Sequence, residues 1–277
     1  MYNGKTLTVV MPAYNEEANI AAAVEAFRAL PEVDVVLVVN NNSQDRTEAE
    51  ARRAGARVLL ETRQGYGYAC RRGLLEADTD LVAIVEPDGT FCTNDLYKFL
   101  AYIHEFDAVF GTRTSWACIW DGANMGFALR YGNVVVAKML EYLHNGPCLS
   151  DVGCTFKMFS REAIAAVKEY FTVGKSHFSP ELMILCIRRK LHCVEIPVHY
   201  GPRIGESKIT GDIHKAVKLG LIMIWLIGKY RLKRILPLRL PLASPYGHGS
   251  LLYPRSTSCH KKGIPNRTVN RPRANAG

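Results

Sequence analysis

Within the first hundred residues, four short apolar runs alternate with stretches of helical pattern: Leu7–Met11, Val35–Val39, Arg57–Leu60 and Leu81–Val85. Runs this short and this rich in Val, Ile and Leu suit strands buried on both faces, as happens when helices cover a parallel sheet. Between them, Glu16–Leu30, Thr47–Ala54 and a segment from Gly65 to about Ala77 read as helices. The alternation predicts an α/β fold whose parallel strands are joined by right-handed crossovers. In such sheets ligands bind beyond the carboxyl ends of the strands.

The unusual residues lie at those ends. Pro12-Ala13-Tyr14-Asn15-Glu16 follows the first run, Asn40-Asn41-Asn42-Ser43 the second and Glu86-Pro87-Asp88 the fourth. Each cluster alone reads equally well as local structure: a helix start, an Asx turn, a polar turn before Gly89. Their coincidence at three strand ends points to one shared crevice. Two carboxylates spaced as in Glu86-x-Asp88 repel unless neutralised, and a hard divalent cation with oxygen ligands would do so.

The second half is mixed. Residues 108–111, 155–159 and 193–198 read as strands, and 125–143 and 180–189 as helices. Residues 200–211 read as a loop carrying Arg203, Ser207 and Lys208. From 212 to 234 a helical pattern returns, with the uncharged stretch Leu219–Gly228 flanked by Lys215, Lys218, Lys229 and Arg231. Ten residues are too few to span a bilayer, which takes about twenty.

Charge divides the chain of 277 residues sharply. Residues 213–277 carry 13 Lys and Arg and no acid, whereas residues 1–212 carry 22 basic and 26 acidic residues. Three parts are expected: a catalytic domain over 1–211, an amphipathic segment over 212–236 lying on an anionic membrane surface, and a basic, disordered tail over 237–277. The eight cysteines have no metal-ligand spacing, and the start of the chain lacks the basic and then apolar build-up of a signal peptide. These readings place the protein in the cytoplasm, peripheral on the cytoplasmic face of a membrane.

Taken in order, the motifs resemble family 2 glycosyltransferases of the GT-A fold. Val9-Val10-Met11-Pro12-Ala13-Tyr14-Asn15-Glu16-Glu17 is similar to their opening signature. Asn40-Asn41-Asn42-Ser43-Gln44-Asp45-Arg46-Thr47 is similar to their Asp-Asp-Gly-Ser-x-Asp-x-Thr segment. Gly65-Tyr66-Gly67 resembles the Gly-x-Gly helix start, and Glu86-Pro87-Asp88 falls where the Asp-x-Asp metal motif belongs. Ser150-Asp151-Val152-Gly153-Cys154-Thr155-Phe156-Lys157 and Pro202-Arg203-x-Gly205-Glu206-Ser207-Lys208 resemble the dolichol- or polyprenol-phosphate mannose synthase branch. The resemblance covers about residues 5–235. Asn40 and Asn41 depart from the usual Asp pair, Glu86 from the first Asp of the metal motif, and Tyr66 from the commoner Lys.

The resemblance implies a Rossmann-like, mixed and mainly parallel sheet with a C-terminal amphipathic helix. It also implies metal-dependent, inverting transfer of a sugar from a UDP- or GDP-sugar to a polyprenyl phosphate. It assigns Asp151, Arg203 and Lys208 to catalysis, and Asp88 and Glu86 to Mg2+ or Mn2+. The nucleotide sugar falls to Pro12, Tyr14, Glu16, Asn40, Asn41, Asp45, Gly65, Glu86, Asp88 and Ser207, and the acceptor phosphate to Arg113 and Arg130. A lipid phosphate is already anionic, so Asp151 need not be a base; with a hydroxyl acceptor it would have to be one.

Three other readings compete. The first is also a transferase, acting on a soluble or polymeric hydroxyl instead of a lipid phosphate. A sugar nucleotidyltransferase would carry a Gly-rich loop after the first strand, where Pro12–Glu17 has no glycine. A nucleic-acid binder would interleave aromatics with the basic tail, which beyond Pro237 holds only Tyr246 and Tyr253; no nucleic acid is expected.

Overall fold

A computed structural model of the chain describes residues 1–123, 125–203 and 213–232. In chain order the elements are β1 (Leu7–Ala13), α1 (Ile20–Arg28), β2 (Val35–Asn40), α2 (Thr47–Arg53), β3 (Arg57–Leu60), α3 (Tyr66–Glu76) and β4 (Leu81–Ile84). There follow α4 (Leu96–Tyr102), β5 (Ala108–Thr112), α5 (Phe127–His144), β6 (Lys157–Ser160), α6 (Arg161–Val167), α7 (Phe178–Arg188), β7 (Cys193–Pro197) and α8 (Ile213–Leu232).

The strands form one seven-stranded sheet in the order β3-β2-β1-β4-β6-β5-β7. Only β6 runs against its neighbours β4 and β5, so the sheet is mixed and mainly parallel, as expected. Alternate residues of each strand feed two cores. Val10, Val39 and Ile84 join α3, α5, α7 and α8 on one face, while Val9, Met11 and Val38 meet α1, α2 and α4 on the other. Burial on both faces is what the apolar runs encoded.

Three details differ from the sequence reading. β1 runs through Pro12 to Ala13 instead of stopping at the proline. Pro12 is tolerated because its missing N–H falls on the side facing β4, whose pairing with β1 ends at Val10. α1 begins at Ile20, since residues 16–19 are occupied by turns bonded to the neighbouring loop. Helices α4 and α6, seven residues each, have no counterpart in the sequence reading.

α8 packs on α5 and α7, burying Met223, Leu226, Ile227 and Tyr230. Its other side exposes Val217, Leu221 and Trp225, beside Phe127, Tyr131 and Val135 exposed along α5. Among the described residues no helix is long and apolar enough to cross a membrane. The expected boundaries at 211/212 and 236/237 and the basic tail lie outside the described residues.

Candidate active site

The first two polar clusters are laced together. Asn15 N–H donates to Ser43 Oγ (3.0 Å), Gln44 N–H to Asn15 Oδ1 (2.9 Å), Glu16 N–H to Thr47 Oγ1 (2.8 Å) and Arg46 N–H to Glu17 Oε2 (3.0 Å). Asn15 sits in the left-handed region at φ 54°, which asparagine tolerates better than most residues. Asp45 accepts from Thr47 N–H (3.0 Å) and Glu17 N–H (3.2 Å). Burial acts to raise its carboxyl, but the hydrogen bonds from Thr47 and Glu17 outweigh it and lower the pKa.

Asn40 and Asn41 spend their amides inside the protein. Asn40 donates to Glu48 Oε2 (3.0 Å) and accepts from Ser43 N–H (2.9 Å). Asn41 donates to the Glu61 and Arg63 carbonyls (3.1 and 2.8 Å) and accepts from Gly65 N–H (2.8 Å). Gly65 itself is required by geometry: at φ 151° a Cβ would lie 2.2 Å from the Gly174 carbonyl. Pro12 is buried in β1 and Tyr14 half-buried in the loop after it.

β4 delivers the carboxylates. Asp88 is buried, its Oδ1 accepting from Thr90 N–H (3.1 Å) and Thr90 Oγ1 (2.6 Å). Its Oδ2 faces Arg203 Nη1 at 3.5 Å, and Arg203 Nη2 reaches Glu16 Oε1 at 3.2 Å. One guanidinium thus joins three distant segments. Glu86 is half-buried beside them. Burial, then the Asp88 charge, pushes its carboxyl up to about 7 against the pull of Arg203 and Arg113. The carboxylates therefore outnumber the cation among them, and this donor set fits a further divalent ion.

The second charged group is the Arg113–Asp151 pair. Arg113 donates from its backbone N–H (3.1 Å) and Nε (2.8 Å) to Asp151 Oδ2, and from Nη2 to Oδ1 (3.0 Å). Gly153 and Cys154 N–H groups also donate to Oδ1 (2.9 and 3.0 Å). Burial acts to raise the Asp151 carboxyl, but Arg113 overrides it and lowers the pKa. So engaged, Asp151 is a poor proton acceptor and a firm anchor for Arg113. The Arg113 guanidinium lies 5.2 Å from the centroid of the Tyr200 ring. Burial raises the pKa of the Tyr200 hydroxyl, and Arg113, Asp88 and Glu86 also act on it, so both groups of charges lie near this one ring.

Arg130, in the first turn of α5, donates from Nε to the Thr114 carbonyl (2.7 Å) and stacks 4.0 Å from the Trp116 centroid. Its Nη1 is buried without a hydrogen-bond partner. Ser207 and Lys208 lie outside the described residues.

Two contributors have no sequence signature: Tyr200 and Glu195. Glu195 accepts from Ser150 N–H (2.7 Å), Ser150 Oγ (2.6 Å) and Asp151 N–H (3.0 Å). Burial pushes its carboxyl up to about 7, despite the Ser150 hydrogen bond. A folded value above the unfolded one means that stability falls as pH rises from about 4.5 to 7. The melting temperature is therefore expected to drop between pH 5 and 8 more steeply in the wild type than in Glu195→Gln; equal slopes in thermal melts would contradict this.

Cys92, Asp95 and His199 bring ligand atoms within 4.8 Å of one another, a grouping able to hold a metal. It already contains a cation, since Lys98 Nζ lies 2.8 Å from Asp95 Oδ1.

The mixed, mainly parallel sheet, with carboxylates and guanidiniums gathered at its strand ends, has the GT-A fold of glycosyltransferases. The model of glycosyl transferase family 2 matches residues 8–167, and the chain belongs to that family. It is 33% identical over 224 residues to the uncharacterized glycosyltransferase Rv0539 of Mycobacterium tuberculosis, covering 80% of this chain and 97% of that protein. It is 31% identical over 210 residues to a dolichyl-phosphate hexose transferase of Haloferax volcanii, covering 75% of this chain and 88% of that protein. Among solved structures it resembles glucosyl-3-phosphoglycerate synthase of Mycobacterium tuberculosis in complex with Mn2+, UDP and glucosyl-3-phosphoglycerate. There the TM-score is 0.62 at 18% identity, over 81% of this chain and 80% of that one. That likeness is one of fold.

Proposed function

We propose that the protein transfers a hexose, with inversion, from a nucleoside diphosphate sugar to a polyprenyl phosphate at an anionic membrane surface. The observation that carries this reading is the nearness of two charged groups in the fold. Asp88 and Glu16 hold Arg203, with Glu86 within their electrostatic reach. Arg113, anchored by Asp151, stacks on Tyr200, and Arg130 is bonded to the carbonyl of the adjacent Thr114. The first group suits a donor diphosphate held with Mg2+ or Mn2+, and the second suits an acceptor that is itself an anion.

Asp88 and Glu86 would hold the cation, which when bound offsets the charge that the departing nucleoside diphosphate gains. Arg203 orients the diphosphate oxygens through its planar fork, with Ser207 and Lys208 following on the same segment. Pro12, Tyr14, Asn40, Asn41, Asp45 and Gly65 shape the nucleotide end of the site. Arg113 and Arg130 hold the acceptor phosphate, and the unpartnered Arg130 Nη1 is a donor for one of its oxygens. An anionic acceptor needs no base, in keeping with an Asp151 whose oxygens are already engaged. The name of the Haloferax volcanii relative supports a lipid phosphate acceptor. The name of the solved synthase supports a soluble phosphorylated acceptor as the second reading.

The exposed apolar sides of α5 and α8, with Lys218, Lys229 and Arg231 on α8, suit contact with anionic lipid. The test is direct. Incubated with radiolabelled UDP- or GDP-hexose, Mn2+ and vesicles bearing polyprenyl phosphate, the full chain is expected to move label into the organic phase. Label appearing only in a water-soluble product formed from phosphoglycerate would favour the second reading.

A further inference from the structure

Asp151 and Arg113 are 38 residues apart in the chain, and neither lies inside a regular element. Something must hold the turn that carries Asp151. We propose that Glu195 is a positioning residue, which clamps the Ser150–Asp151 turn so that Asp151 keeps the Arg113 guanidinium in place over the Tyr200 ring. The inference rests on the reading of Arg113 as the acceptor-phosphate residue and adds a residue that no motif marks.

The geometry is that of a clamp. Glu195 Oε2 receives both the N–H and the hydroxyl of Ser150, and Oε1 receives the N–H of Asp151. Ser150 Oγ is also within 2.7 Å of both Thr112 Oγ1 and Thr114 Oγ1, the residues on either side of Arg113. In the sheet, Glu195 of β7 lies opposite Phe110 of β5, and β5 runs directly on toward Arg113. One serine therefore ties the strand that ends at Arg113 to the strand that carries Glu195.

The surroundings fit the same role. Asp151 is fully buried and Glu195 half-buried beside it. Lys157 is 1% exposed, its ammonium donates to the Cys154 carbonyl, and it feels both carboxyl groups. Removing the acceptor oxygens of Glu195 leaves the donors of the turn without their partner. Glutamine matches glutamate in shape, but its NH2 would face backbone N–H or hydroxyl donors where an acceptor is needed.

The test compares wild type, Glu195→Gln and Ser150→Ala in the full chain. The first readout is the Arg113 Nε–H signal in nitrogen-15 NMR, assigned by its loss in Arg113→Lys. It is expected to be slow to exchange in wild type, and to shift and exchange faster in Glu195→Gln. The second is steady-state kinetics. The kcat/KM for the acceptor is expected to fall about 10–100-fold, the usual cost of removing a group that orients a site residue. Affinity for the nucleoside diphosphate with Mn2+, measured by calorimetry, is expected to stay within about twofold. An unmoved Nε–H signal, or acceptor and donor constants that fall together in step with the melting temperature, would overturn the proposal. Should Glu195→Gln not fold, Ser150→Ala decides by the same readouts. If wild type transfers to no polyprenyl phosphate, the proposed acceptor fails, while the NMR readout still judges the clamp.

Discussion

Asp88→Asn is expected to lower the rate of sugar transfer about a thousandfold, equivalent to roughly 4 kcal/mol in the barrier, in a protein that remains folded. Asn keeps an oxygen able to accept from Thr90, which bonds to Oδ1 alone, so the turn after β4 survives. What disappears is the anionic oxygen facing Arg203 at 3.5 Å, the oxygen free to hold a divalent cation. Initial rates across a manganese titration check this. Turnover equal to wild type, or a loss matched by collapse of the melting transition, would remove Asp88 from the proposed chemistry.

Arg113→Ala is expected to abolish transfer and to cost about 3–5 kcal/mol of stability, because it strands a buried carboxylate. Asp151 is fully buried and takes two hydrogen bonds and its counter-charge from the Arg113 side chain. The double variant Arg113→Met with Asp151→Leu is expected to regain much of the stability and none of the activity, since no charge is then left buried unpaired. Urea melts and transfer assays on the three proteins separate the two losses. Arg113→Ala unfolding at the wild-type midpoint would show that the pair does not carry the turn.

Local pattern announced a good deal of this molecule. The apolar runs at Leu7, Val35, Arg57 and Leu81 are all strands; β1, β2 and β4 are continuously apolar because they are buried on both faces, whereas β3 lies at the sheet edge and exposes Arg57 and Leu60. The polar residues Glu16, Asp45, Glu86 and Asp88 that follow three of those runs marked out the candidate site. The short helices α4 and α6 were not legible, although α2, of the same length, was. The reversed direction of β6 was hidden as well, because alternation along a strand carries no sign of which way its neighbours run.

The strand positions, the polar strand ends and the basic, acid-free C-terminal segment follow from residue order alone, since each depends on neighbours within a few positions. The Glu16–Arg203–Asp88 junction, the Arg113–Asp151 anchor and the Glu195 clamp came only with the folded chain. Arg203 lies 187 residues from Glu16, and Glu195 lies 44 from Asp151. Hydrogen bonds over such separations form only after sheet order and register have been set by packing across the whole core. A lone half-buried glutamate on an edge strand leaves no local trace of the serine it will hold.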